Sequence, residues 1–184
     1  ASIKGLVDKA MTDGMPGIAL TDHGAMFGIK EFFDYVNKKN GPLLRERKDL
    51  KKQIKALEEQ EERSAEDEAK LSELREQLQA AEAKPLFKPI LGCEVYCARR
   101  SRFKKDANVP NPYRPNQSVD NSGWHLVLLA KDLTGYKNLI KMVSRSWIDG
   151  YYYRPRIDKE LLEAHHEGII ASSACLGGEI PQHI

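Results

Sequence analysis

Cysteine is scarce. Three residues, Cys93, Cys97 and Cys175, are too few for a disulfide framework, which points to a reducing cytoplasm. Long apolar runs are missing as well. None reaches the roughly 20 residues that cross a bilayer, and the start reads as no signal peptide, so neither membrane nor secretion is expected. A strong net charge is also lacking: 29 Lys and Arg against 27 Asp and Glu leave +2. That is too near neutral to argue for nucleic-acid binding by itself. What remains is a chain of 184 residues, 41% hydrophobic and 30% charged. It is long enough for one domain with a core, and it carries extra surface charge. Both ends read as cut. Ala1 enters a helix with no strand before it, and His183-Ile184 stops just after a new helix begins, so a fragment of a longer protein is expected.

The stretch Gly17-Ile18-Ala19-Leu20-Thr21-Asp22-His23-Gly24 carries the first chemical signal. A short apolar strand leads at once into an acid, an imidazole and a permissive glycine, as α/β barrels do at the C-terminal ends of their strands. Before it, Ser2 is a plausible N-cap. Ile3, Leu6, Val7, Ala10 and Met11 share one helical face, and Gly14 ends the helix. After it, Met26 to about Asn40 is helical, with Phe27, Phe32, Phe33 and Val36 as buried candidates. Helix, strand and helix in alternation argue for a parallel sheet.

From about Leu43 to Lys84 the chain changes in kind, with dense Glu, Lys, Arg, Gln and Ala and almost no aromatics. Leu50, Ile54 and Leu57 follow a heptad spacing, as do Leu71, Leu74, Leu78 and Ala81, out of phase with the first series. Ser64 followed by Asp67 resembles a capping box. Two antiparallel helices forming a charged hairpin inserted at 43–84 are the simplest reading. One solvated charged segment is the bland alternative.

Lys88–Ala98 reads as a strand. Arg99–Gly123 reads as a long loop whose Arg99, Arg100, Arg102, Lys104, Lys105 and Arg114 could meet phosphate or simply be solvated. Trp124–Ala130 is a third strand, and Thr134–Trp147 a helix with Leu139, Ile140 and Val143 inward. An aromatic-basic loop spans Gly150–Arg156. Asp158 caps a short helix to about His166, and Ile169–Ala174 is a fourth strand running into Cys175-Leu176-Gly177-Gly178.

Four strands thus bring out His23, Glu94, His125 and Cys175, each a ligand type for zinc or a similar metal, scattered as ligands on separate barrel strands would be. A carboxylate can bridge two metals and so help a cluster activate water for phosphate-ester hydrolysis. Singly, each residue has a structural reading, though Glu94 among Leu91, Cys93 and Val95 needs a partner if it points inward. Cys93 and Cys97 share a strand face roughly 13 Å apart, at about 3.3 Å per residue, and face away from Glu94, which assigns them to packing. His165 and His166 sit near a helix C-terminus, where exposure is the ordinary outcome.

The motifs Thr21-Asp22-His23-Gly24, Gly92-Cys93-Glu94-Val95-Tyr96, His125 to Lys131, Gly135-Tyr136-Lys137-Asn138-Leu139, Tyr152 to Asp158 and Cys175 to Pro181 occur in this order. Together the chain resembles the N-terminal PHP (polymerase and histidinol phosphatase) domain of the bacterial replicative DNA polymerase III alpha subunits. The resemblance implies an α/β fold: a distorted, TIM-barrel-like (β/α)7 barrel, here a partial PHP domain over 1–184, truncated at both ends. It also implies a zinc or manganese cluster at the barrel mouth. Glu94 would bridge, His125 and Cys175 would share one metal with it, and His23 would hold another.

Cys175 stands where phosphatase relatives usually carry His. The opening His-x-His and closing Asp-x-His patterns of the family are not present, which implies an incomplete metal site and weak or absent metal in this chain. The parent protein would be a cytoplasmic DNA-directed DNA polymerase using magnesium in a separate domain. Its partners would be DNA, deoxynucleotides, a proofreading exonuclease subunit and other replisome subunits. The PHP portion would support and dock, with 3′–5′ exonuclease activity as an extra. A stand-alone PHP-type phosphoesterase and a non-catalytic interaction module are the alternatives.

Overall fold

The computed structural model describes residues 2–173 and 175–184. Its elements are α1 (Ile3–Thr12), β1 (Gly17–His23), α2 (Ile29–Glu58), α3 (Ala65–Ala83), β2 (Lys88–Ala98), β3 (Pro110–Asn111), β4 (Arg114–Ser118), β5 (Gly123–Ala130), α4 (Leu133–Ile148), β6 (Arg156–Ile157), α5 (Lys159–Ala164) and β7 (Ile169–Ser172). The fold is mixed α/β. Cα packing divides it into two compact units, Ala1–Ile18 with Glu31–Pro89 and Ala19–Lys30 with Ile90–Ile184.

In the first unit, Ser2 caps α1 through the Gly5 N–H, as its position predicts, and Val7 and Ala10 are buried. The long helix α2 departs from expectation. The sequence reading ends one helix at about Asn40 and starts a separate hairpin at about Leu43. Instead α2 runs unbroken through Pro42. The turns on both sides hold it. Val36 is buried, and the buried Asn40 amide donates to Phe87 O at 2.9 Å and accepts from Phe87 N at 3.1 Å. Further on, Leu50 and Ile54 pack with Leu71, Leu74 and Ala81 of α3, with Leu43, Leu57 and Leu78 around them. Ion pairs Lys51–Glu82 at 2.7 Å and Arg75–Glu58 at 2.7 Å run along an antiparallel pair. The Ser64–Asp67 capping box starts α3 as read from the sequence.

Strands β1 and β2 begin in the first unit and continue in the second. Lys88 N–H donates to Pro16 O at 2.9 Å, and further along Gly24 N–H donates to Glu94 O at 2.8 Å, so the two strands run the same way. The strand order is β1-β2-β5-β7, with β6 on β2. The parallel sheet expected from the alternation is found in part. β6 is parallel to β2, but β5 is antiparallel to β2 and β7 antiparallel to β5. One strand, β5, is therefore reversed against β1, β2, β6 and β7. The cause is its connection. A parallel neighbour needs a crossover, but residues 99–122 carry no helix, only the small β3–β4 ribbon where a plain loop was expected. Among the described residues the sheet path is open.

One face of this sheet packs Cys93, Val95, Cys97, Trp124 and Leu128 against Leu139, Met142 and Val143 of α4, with Ile157 and Leu161 closing the cluster. Helical phase accounts for two misplaced side chains, Ile140 and Phe33. Met142 is inward and Ile140 exposed on α4, and on α2 Phe33 is exposed while Phe32 is buried. Phe27, expected inside, is 85% exposed, because it precedes the helix rather than lying on its buried stripe. The fourth strand ends at Ser172, two residues short of the expected boundary, and Ala174 lies outside the described residues, as does Ala1.

Candidate metal centre

Strand parity sets the site. Glu94 lies opposite Val127 and Tyr96 opposite His125. Cross-strand partners share a face, and residues two apart do too. Glu94, Tyr96 and His125 therefore occupy the face opposite to Cys93 and Cys97, which are buried in the core as expected. The reversal of β5 matters here. His125 sits near the start of its strand, yet that start lies beside the ends of β1, β2 and β7, where His23, Glu94 and Cys175 are found.

The side chains converge. Glu94 is 7% exposed. Its Oε1 lies 3.1 Å from His125 Nδ1, and its Oε2 contacts His23 Nδ1. Cys175 Sγ lies 3.2 Å from the same His125 Nδ1. The donor atoms of Glu94, His125 and Cys175 all lie within 4.8 Å of one another. His23 contacts the carboxylate with a side chain that is 78% exposed, and among the described residues it lies outside the group of three donors. Asp22 is directed elsewhere, since its carboxylate accepts the Gly28 N–H at 2.9 Å and closes the turn after β1.

These positions are fixed locally. Gly24, at φ +63°, receives Trp147 Nε1 on its carbonyl at 2.8 Å. A Cβ there would stand 2.7 Å from Pro155 Cγ, so only glycine fits directly after His23. The His125 ring meets the Tyr96 ring edge-on at 5.1 Å between centroids. On its other side a Cβ on Gly177 would be 3.2 Å from the imidazole. Gly177 N–H also donates to Cys175 Sγ at 3.3 Å, which orients the sulfur.

The donor set suits a metal ion. A tetrahedral centre with bonds of about 2.0–2.3 Å holds its donors roughly 3.3–3.8 Å apart, close to the two distances around His125. A single imidazole nitrogen facing both a carboxylate and a sulfur has at most one proton to share. A metal ion would take a lone pair from the carboxylate, the sulfur and the ring at once.

Comparisons with known proteins give the family. A protein-family model described as PHP domain matches residues 1–184. The chain belongs to the PHP domain family. It is 35% identical to DNA polymerase III subunit alpha of Borreliella burgdorferi over 184 residues, covering 100% of this chain and 11% of that protein. It is 34% identical to the protein of the same name from Thermus aquaticus over 176 residues, 96% of this chain and 10% of that one. The Helicobacter pylori protein of that name is 30% identical over 182 residues, 99% of this chain and 10% of the relative. This PHP domain thus spans about a tenth of the length of these relatives. Among the described residues, no helix is long and apolar enough to cross a membrane.

Around the PHP site lies a group of buried charges that the sequence reading overlooked. Arg156 is 0% exposed. It donates to the carbonyls of Gly150 (3.0 Å), Asp120 (2.7 Å), Arg102 (2.9 Å) and Lys104 (2.9 Å). Arg102 pairs with Asp158 at 2.7 Å, and Arg100 with Asp120. Burial pushes the Asp120 carboxyl up, but Arg100 and the Asp106 N–H outweigh it and hold the group below its ordinary range. Arg100 and Arg102, offered above as phosphate contacts, are thus engaged with carboxylates of the protein, Arg102 in the interior and Arg100 from the surface. An arginine between Pro155 and Ile157, two residues before a helix-capping aspartate, was the available signal for this network. His166 Nδ1 meets its own turn at Glu163 O, 2.6 Å away, and takes no part in the site.

Proposed function

We propose that this PHP domain is a metal-dependent phosphoester-hydrolysing centre within a DNA polymerase III alpha-type protein, where it also supports and docks neighbouring parts of the replisome. The convergence of Glu94, His125 and Cys175 within 4.8 Å carries the reading. Glu94 would be the bridging carboxylate, a reading supported by one oxygen lying against His125 and the other against His23. Zinc or manganese, when bound, would supply a Lewis acid and an activated water. The protein's own part is orientation. Tyr96 and Gly177 fix the His125 ring, and the Gly177 N–H supports the sulfur. A thiolate is a soft ligand that suits zinc better than harder cations.

The wider proposals follow from the relatives' names. The chain would be part of a distorted, TIM-barrel-like (β/α)7 barrel with the 43–84 helices as an insertion. The parent would synthesise DNA with magnesium in another domain, and the PHP centre would add 3′–5′ exonuclease proofreading beside a dedicated exonuclease subunit.

The test is elemental analysis of the complete protein and of this chain, each with and without Glu94→Ala, followed by nucleotide release from a mismatched 3′ end. Stoichiometric zinc or manganese that disappears with Glu94→Ala supports the centre. Equal metal content in both proteins, or none in the complete protein, overturns it.

A further inference from the structure

Arginine distribution around the site is uneven. Arg102 and Arg156 are spent on a carboxylate and carbonyls inside the protein, and the exposed Arg100 on the buried Asp120 carboxylate. Arg114 and Arg154 are different: among the described residues neither guanidinium has an ion-pair or hydrogen-bond partner, though Arg154 lies 5.5 Å over the Tyr96 ring. Both line a cavity of about 310 Å³ that opens beside His125. Arg99 stands next to it, stacked 4.1 Å over Trp124, with Nη1 on Ser122 O at 3.2 Å and Nε buried without a partner. Arg99 and Arg114 lie close enough to repel, and burial together with that repulsion lowers the affinity of Arg99 for its proton. Like charges held together without an anion are costly, and an incoming anion relieves the cost.

The rest of the cavity is chemically mixed. Ser122 offers a hydroxyl, Asn121 Oδ1 is buried and lacks a donor, and the Tyr153 ring is mostly exposed at the rim. Tyr153 sits at φ +57°, a left-handed backbone that a tyrosine adopts only when its surroundings impose it, and its ring meets Tyr152 edge-on at 4.8 Å. Cations, a polar acceptor and an exposed aromatic ring beside a hydrolytic centre match the parts of a nucleotide: phosphate, base edge and base face.

We propose that this cavity binds the terminal nucleotides of a single-stranded nucleic acid. Arg114 and Arg154 hold backbone phosphate and Tyr153 stacks on a base, which delivers the adjoining phosphodiester to the Glu94–His125–Cys175 cluster. The proposal rests on the hydrolytic reading for its purpose, but the binding itself needs no metal.

The test is fluorescence anisotropy of a labelled oligothymidylate with a free 3′ end, titrated with the chain in chelator at several salt concentrations. Arg114→Glu and Arg154→Glu are each expected to weaken binding tenfold or more, and Arg114→Gln and Arg154→Gln each to lower the salt slope by about 0.7, as for one lost phosphate contact on a single strand. Tyr153→Ala is expected to weaken it severalfold without changing that slope. Lys104→Glu with Lys105→Glu, outside the cavity, changes binding less than twofold. Equal losses in the lysine and arginine variants mean diffuse attraction and overturn the proposal, as does competition by inorganic phosphate equal to that by unlabelled strand. Zinc uptake is read in parallel. Arginine-dependent binding without zinc uptake sinks the metal reading alone, whereas zinc uptake with arginine-independent binding sinks this one alone.

Discussion

Arg156→Met removes a cation that no solvent touches and leaves its four carbonyl acceptors, on Gly150, Asp120, Arg102 and Lys104, without a donor. A hydrogen bond to a charged group is worth about 1.5–3 kcal/mol, so four of them would sum to much of a domain's whole stability of about 5–15 kcal/mol. That sum is too large, because the surrounding loops relax and water enters. Breaking one side of a buried charged network costs about 3–5 kcal/mol, and that is the loss expected here. Arg156→Lys keeps the charge but cannot reach four carbonyls with one ammonium group, so it recovers only part.

Both tryptophans, Trp124 and Trp147, lie in the second unit, so intrinsic fluorescence during urea unfolding reads the unit that contains Arg156. The carbonyls of Arg102 and Lys104 belong to the connection between β2 and β5, so limited proteolysis within residues 103–117 should accelerate in parallel. A loss under about 1 kcal/mol for Arg156→Met, the worth of one ordinary hydrogen bond, with unchanged proteolysis, would refute the reasoning.

Three further outcomes are expected. At Asp158, burial raises the carboxyl, but the Arg102 and Leu161 N–H groups and the Arg102 guanidinium outweigh it and hold it below 3.8. Its stabilisation is therefore complete above that unfolded value and lost as pH falls through the lower folded one. Asp158→Asn should lower stability at neutral pH and flatten the fall below about pH 4, read by urea midpoints at each pH; an unchanged acid limb counts against it. Gly177→Val should push the His125 ring and weaken zinc binding by about tenfold or more, measured by competition with a chelating dye, and unaltered affinity would contradict the contact. Burial pushes the thiols of Cys93 and Cys97 up to about 12 and about 11. Iodoacetamide at pH 8 should therefore label Cys175 alone, and added zinc should protect it; mass spectrometry showing labelled Cys93 or Cys97 would contradict this.

Much of the fold was legible because it is written in local pattern. The Ser64–Asp67 cap, the two heptad series and the strand around Glu94 depend on neighbours a few residues apart. The candidate ligands were legible through residue type at strand ends. What escaped depends on distant partners. Whether a chain crosses over or turns back is decided by what its connection packs against, so nothing local marks β5 as reversed. The change in composition near Leu43 reads as the start of a separate hairpin, whereas Asn40 and Phe87 hold the turn that carries α2 on through Pro42. The basic loop reads as a set of interchangeable cations. Which are occupied and which are left open is settled by Asp120, Asp158 and the carbonyls around Arg156, none of them adjacent in sequence.

The contacts among His23, Glu94, His125 and Cys175 close segments 71, 31 and 50 residues long. Ring closures of that length cost entropy and are made only when the sheet's register is in place. The unfolded chain holds no comparable quartet. Any ion taken by these residues therefore selects the folded ensemble, adding RT ln(1 + [L]/Kd) to its stability. Metal concentration then becomes a setting for how firmly β1, β2, β5 and the segment after β7 are stitched together, and chelation a means of loosening that seam while leaving the α2–α3 pair untouched.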